Sequence, residues 1–344
     1  MARRPYRVEV NYPNRGRAQY FLVRDVKVGQ KRRKVKIYLG VEPPTADDVE
    51  KFRRELAGEI ELKAAILRAE LTSARLQARY LDPARAKELE EVRSFYRSVQ
   101  QLLSKADIAA YEHSFELAYV SGTTKIEGNT LSKAEAIDLL EHGIVPKSKQ
   151  LREINEVQNF KKVISFRNKY EGKVSLDFIR RLHALVMDNI DVESAGVFRR
   201  VDDIGIAGCD LRVAPSIWIE EELKEIISEY YKNIEKHMNP FEAAVIFHYK
   251  FEIIHPFTDG NGRVGREILN FLLAKTEYPR MLFLGEEREA YIDALRMGNK
   301  ENFAGLVDAF AIIVIRQRRL LKDRLQELAS VSRPRGQLRL LDFD

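Results

Sequence analysis

The chain has 344 residues, 45% of them apolar, which suffices for a real core and for two domains, and its 58 basic and 52 acidic residues give a net charge of +6. Its longest purely apolar run, Ala309 to Ile315, is far short of the roughly 20 residues of a membrane helix, and the basic N-terminal segment lacks the apolar stretch of a secretory leader. One cysteine, Cys209, excludes an internal disulfide and fits a reducing compartment, so a cytoplasmic protein without membrane contact is expected.

The charge is uneven. Residues 1–40 hold twelve basic groups and two acidic ones, a net +10, which leaves −4 for the remainder. Tyr6 to Val10, Tyr20 to Arg24 and Lys34 to Leu39 read as three short strands, with Gly29 to Arg33 as the turn between the last two. A small basic β domain over 1–42 with tyrosines on its surface suits phosphate contacts, which makes nucleic acid a candidate partner for residues 1–40. A solubilising sheet whose edge is blunted by lysines is the plainer reading of the same composition. From Thr45 to about Tyr80, apolar positions at Phe52, Leu56, Ile60, Leu67 and Leu71 predict one long amphipathic helix. Asp82-Pro83 ends it and a second helix follows from about Ala84, so 43–104 reads as a helical hairpin or linker, or a homodimer surface.

Ile108, Tyr111, Phe115, Leu117 and Ala118 predict a helix to about Glu127, stopped at Gly128 and Asn129. Ser132 to Glu135 is a capping box that opens the next helix. Taken alone, Glu127 is a solvated carboxylate at the less favoured end of a helix. Two β-prone runs between Gly196 and Pro215, around Ala207 to Asp210, predict a hairpin.

Apolar side chains at Phe241, Val245, Ile246, Tyr249 and Ile253 mark another helix, and Arg266 to Leu273 a further one. Between them runs His255-Pro256-Phe257-Thr258-Asp259-Gly260-Asn261-Gly262-Arg263-Val264-Gly265-Arg266. A helix start leaves N–H groups unpaired and attracts anions, and glycines let a phosphate approach the backbone. Arg263 and Arg266 fall three apart, suited to clamping successive phosphates. Asp259 suits Mg²⁺, and His255, cut off from the helix by Pro256, suits a general base near neutral pH. The stretch reads as a site for a metal-bound polyphosphate with a base beside it. Tyr291 to Leu295 and Asn299 follow, and 302–328 predicts a last helix before a tail over 329–344. No Cys/His cluster has the spacing of a zinc site.

The motif resembles the signature of Fic-domain proteins, His-x-Phe-x-(Asp/Glu)-Gly-Asn-x-Arg-x-x-Arg, at every specified position. The resemblance implies a mainly α protein: a Fic-type helical core over 105–328 with a β-hairpin flap, preceded by the small basic β-sheet and the helical hairpin. It also implies a protein adenylyltransferase that moves AMP from ATP to a Ser, Thr or Tyr hydroxyl of a protein substrate, with Mg²⁺ as cofactor. By that resemblance His255 is the base and Asp259 holds Mg²⁺. Gly260, Asn261, Gly262 and Arg263 hold the α- and β-phosphates, and Arg266 holds the γ-phosphate. Gly262, where a related branch carries lysine, favours AMP transfer over phosphate transfer.

Thr123-x-x-x-Glu127-Gly128 is similar to the family's inhibitory motif, (Ser/Thr)-x-x-x-Glu-(Gly/Asn), whose glutamate pairs with the second arginine, here Arg266. The flap, about Ile204, Gly205, Ile206 and Val213, is implied to dock the target by strand pairing, and Tyr291 and Asn299 to border the adenine. Two alternatives stand beside AMP transfer. One is removal of AMP from a modified protein by the same site, with Glu127 orienting water; the other is a nucleotide-sensing module that binds nucleic acid through its N-terminal sheet.

Overall fold

The structure, a computed structural model, describes residues 6–13, 16–202 and 213–330. It is mainly helical with one small sheet, and it divides into two compact units. One takes the chain to Leu76, Pro83–Ala110 and the stretch from Ile315; the other takes Gln77–Asp82 and Tyr111–Val314.

In the first unit, β1 (Tyr6–Asn11), β2 (Gln19–Val28) and β3 (Lys31–Gly40) pair antiparallel in chain order. The turn between β2 and β3 is tighter than expected. Gly29 (φ +57°) and Gln30 close it, and Lys31 to Arg33 already lie in β3, because a two-residue hairpin turn with a left-handed first position matches the strand twist. Leu22, Val26, Val35 and Ile37 on one sheet face bury against Ile60 and Ala64, with Leu56, Leu67 and Leu71 packed around them. Glu61 is buried there, accepting from the Tyr6 hydroxyl (3.0 Å) and pairing with Arg24.

The long helix expected from Thr45 to Tyr80 is two helices, α1 (Ala46–Glu55) and α2 (Ala57–Ser73). Thr45 and Asp48 cap α1 reciprocally, and the break falls at Leu56 (φ −99°, ψ 4°), which still points into the sheet core. Periodicity alone could not place that break, since the apolar stripe continues through it. Helix α2 stops at Ser73, short of Tyr80, and α3 (Pro83–Leu102) packs on α2.

In the second unit, the Gln77 N–H donates to His237 O (2.9 Å) and its carbonyl accepts from Asn239 N (3.1 Å), a pairing incompatible with a helix there. Glu242, fully buried, accepts from the N–H groups of Arg79, Tyr80 and Leu81. Helix α4 (Lys105–Ile126) enters this unit at Tyr111, and α5 (Lys133–His142) opens with the Ser132/Glu135 capping box. There follow α6 (Leu151–Lys169), α7 (Leu176–Val186), α8 (Ile219–Glu235), α9 (Pro240–Ile254), α10 (Asn261–Lys275), α11 (Arg288–Asn299) and α12 (Phe303–Ser330), which leaves this unit after Val314.

Helix α9 is the centre of this unit: all but two of its residues are buried, and α8 and α10 pack on it. Asn239 caps its start, accepting from Phe241 N (2.9 Å). Arg167 of α6 is buried between Glu267 of α10 (2.8 Å) and Glu116 of α4 (2.7 Å), fixing those three helices to one another. Losing one partner of such a buried set costs about 3–5 kcal/mol, because the survivor is left charged and dry. Of the expected hairpin flap, Ile204, Gly205 and Ile206 lie outside the described residues, and Val213 is half-buried and not in a strand.

Candidate active site

Helices α9 and α10 meet in the turn from His255 to Gly260. His255 ends α9 with left-handed backbone (φ 46°, ψ 61°), uncommon for a residue with a Cβ and sustained here by its surroundings. Buried Arg199 supplies much of that support. Its Nε donates to His255 O (2.7 Å), its Nη2 to Ile254 O (3.2 Å) and Ala214 O (2.5 Å), and its N–H to Pro256 O (2.9 Å). The His255 Nδ1 lies 3.3 Å from Glu252 O, which can only accept, so Nδ1 carries the hydrogen and Nε2 keeps its lone pair. Burial, helped by the Arg199 charge, holds the ring below the ordinary imidazole pKa of 6.5, although the Glu252 carbonyl opposes this.

His183 on α7 supports the other side of the turn. Its ring stacks flat on Phe257 (centroids 3.6 Å apart, 1° between planes). Gly196 N–H donates to its Nδ1 (2.8 Å), so Nε2 carries the proton and donates to Asp259 O (3.0 Å). Burial pushes its pKa down to about 4, and it stays neutral.

Gly260 (φ 75°) is the left-handed entry to α10, whose first helical bond is Val264 N to Gly260 O (3.0 Å). The N–H groups of Asn261, Gly262 and Arg263 therefore have no partner within the helix, and together with the helix dipole they form an anion cradle. Asn261 spends its side chain on the turn: its amide accepts from Phe257 N (2.9 Å) and donates to Phe257 O (2.8 Å). What Asn261 offers an anion is its backbone.

The two arginines diverge. Arg263 is turned beneath the loop, 1% exposed, against Asp259 (3.1 Å), Glu156 (3.3 Å) and the Met187 sulfur. It does not line the cleft in front of α10, so the structure does not place it as a phosphate clamp beside Arg266. Arg266 does line that cleft. Its Nε donates to Thr123 Oγ1 (2.8 Å), and its Nη2 to Thr123 O (3.0 Å) and Glu127 Oε1 (2.6 Å), while Nη1 has no partner. A Cβ at position 262 would lie 2.4 Å from Glu127 Oε1, so any larger residue there would push the ion pair out of its present position. Gly128 (φ +96°) ends the turn after α4 that carries Glu127.

Asp259 is held by Arg263, by the Gly260 N–H (2.5 Å) and by Arg152 of α6. Burial alone would raise its pKa, yet these partners hold the carboxyl below the ordinary range. The open cleft is lined by Glu127, His255, Asp259, Gly260, Asn261, Gly262 and Arg266, and beyond them by Tyr291, Ile292 and Leu295. Tyr291 turns its hydroxyl to His248 Nε2 (3.0 Å) and its ring toward Arg266 (5.5 Å). Asn299 does not line this cleft; it is exposed and accepts from the Tyr249 hydroxyl (3.1 Å).

Glu252, Arg288, Arg199 and His183 belong to the site without having been marked by any sequence signal. Glu252 lines the cleft fully buried, and burial raises its pKa to about 8 against the pull of Arg266, so at pH 7 it is a neutral acid. Arg288 reaches the same cleft with its Nε donating to Ile126 O (2.9 Å).

Residues 173–273 match the Fic/DOC family. Among curated relatives, the chain is 35% identical to "Protein adenylyltransferase fic-1" of Caenorhabditis elegans over 186 residues, 53% of this chain and 36% of the relative. It is 28% identical to "Protein adenylyltransferase Fic" of Culex quinquefasciatus over 232 residues, 64% of this chain and 44% of the relative. The chain thus spans well under half the length of these relatives. Among solved structures, Fic-1 from C. elegans (residues 134–508) superposes with a TM-score of 0.64 at 27% identity, covering 81% of this chain and 86% of that one. A Fic domain containing signaling protein from Bacteroides thetaiotaomicron shares the fold, with a TM-score of 0.63 at 21% identity over 70% of this chain and 97% of that one.

Proposed function

We propose that this chain, a Fic-domain protein, is a protein adenylyltransferase that transfers AMP from ATP to a Ser, Thr or Tyr hydroxyl of another protein, with Glu127 holding it weakly active. The observation that carries the reading is that His255, the unspent N–H groups of α10 and the Arg266 guanidinium all line one cleft. His255 Nε2 takes the proton of the hydroxyl as its oxygen bonds to the α-phosphorus; the bond to the β-phosphate breaks and pyrophosphate leaves. The α10 N–H groups face the charge that gathers on the transferring phosphate, where fixed donors act without reorganising. Tyr291, Ile292 and Leu295 offer an apolar wall for the base.

Asp259 fits Mg²⁺ as a single carboxylate, 37% exposed at the cleft, because that ion completes its shell with phosphate and water oxygens. When bound, the ion would neutralise charge on the polyphosphate. Arg152 and Arg263 hold the same carboxylate, so loading it requires Arg152, which is half exposed, to swing aside.

The test is label transfer by the Glu127→Gly protein with Mg²⁺ and a lysate or the protein itself as acceptor. Label is expected on protein from α-labelled ATP and none from γ-labelled ATP. Label from the γ position would make the site a kinase, and none from either would leave a nucleotide-binding module.

A pH profile follows from His255. A base needs its neutral form, and this ring's pKa lies below 6.5, so the rate is expected to hold from pH 8 down past 6.5 and to fall only below it. Initial rates of AMP transfer against pH check this; an acidic limb centred above 6.5 would contradict the buried imidazole as the base.

A further inference from the structure

We propose that the outward face of the β1–β2–β3 sheet is a docking surface for double-stranded DNA, held through its phosphates. The inward face is spent on the core with Ile60 and Ala64. On the outward face the register sets Glu9, Phe21 and Tyr38 in one row and Arg7, the fully buried Val23 and Lys36 in the next; Asp25 then faces Lys34, and Lys27 faces Arg32. Five cations there oppose two carboxylates, and Lys27, Arg32, Lys34, Lys36 and Tyr38 are all exposed.

The carboxylates do not cancel the face; they arrange it. Glu9 accepts from Arg7 (2.6 Å) and Lys34 (2.9 Å), and Asp25 from Arg7 and Arg32 (2.8 Å), so the cation heads are held in rows before any ligand arrives. Along β3, Arg32, Lys34 and Lys36 recur at every second residue, about 7 Å apart by strand rise. Lys31 and Arg33 add exposed charge at the hairpin end and, like Lys27, have no acidic partner among the described residues.

Charge complementarity over the whole segment, +10 against a polyanion, points the same way. A single strand is a poorer fit, because it needs successive open rings to stack upon. Here Phe21 is covered by Tyr38 (5.5 Å) and Lys36 (5.6 Å), which leaves Tyr38 as a lone platform, 54% exposed.

The full chain is titrated into a labelled mixed-sequence duplex, and anisotropy is read as salt is raised. Log affinity is expected to fall with log salt with a slope steeper than about −3, at about 0.9 per phosphate contact. Arg32→Gln with Lys34→Gln and Lys36→Gln is expected to flatten the slope by about 2.7 and to weaken binding about tenfold or more. Lys27→Gln alone, which disturbs no ion pair, is expected to flatten it by about 0.9 and keeps the test valid if the triple variant misfolds. Three results would overturn the proposal: no duplex binding at low salt, slopes unchanged in both variants, or equal affinity for a single strand or for polyglutamate.

Discussion

His255→Asn is expected to cut AMP transfer by about 10²–10⁴-fold, measured as initial rates of α-label incorporation in the Glu127→Gly background. Asparagine is the informative replacement because His255 sits at φ 46°, a region asparagine tolerates better than other residues with a Cβ. The Arg199 bonds run to main-chain carbonyls and survive the change, so the turn and the cradle are kept while the base is lost. Nucleotide affinity is therefore expected to stay within a few fold of the parent, read by equilibrium binding of ATP. A rate that persists in the asparagine variant would mean that another group takes the hydroxyl proton. Glu252 is too buried for that role and, with a pKa near 8, is mostly protonated at neutral pH.

What could be read from residue order alone was the chemistry that a short segment performs on itself. Pro256 ends a helix, glycines turn the chain, and the next helix exposes its N–H groups; each is a local event within 255–266, and each is present. The Ser132/Glu135 box is local in the same sense. Roles that depend on a distant partner were out of reach. Arg199 supports His255 across 56 residues and His183 supports Asp259 across 76, and neither carries a mark in its own neighbourhood. Arg263 shows the limit of spacing arguments. Positions three apart lie near one face, but Glu156 and Met187 beneath the turn claimed Arg263, while the cleft kept Arg266. The break at Leu56 was hidden for a related reason, since the sheet core buries that side chain whether or not the helix runs through it.

Glu127→Gly is expected to raise AMP transfer by about 10–10²-fold, because the carboxylate and a γ-phosphate compete for one guanidinium. Arg266 is fully buried, and its bond to Glu127 (2.6 Å) is charge-assisted, a contact worth about 1.5–3 kcal/mol net. At about 1.4 kcal/mol per factor of ten, removing it returns the expected range. The gain depends on Arg266 keeping its aim once the glutamate is gone, and Thr123 provides that: Nε remains on Thr123 Oγ1 (2.8 Å) and Nη2 on Thr123 O (3.0 Å), while Nη1 has no partner to lose and Nη2 is released from Glu127. Thr123→Val in the glycine background is therefore expected to give back part of the gain, and Arg266→Ala all of it. Glu127→Gln separates charge from shape, since the amide keeps the volume beside Gly262 but loses the ionic component, and its rate should fall between the parent and the glycine variant. Initial rates of α-label incorporation for these four variants decide the matter; a glycine variant no faster than the parent would show that the ion pair is structural and restrains nothing.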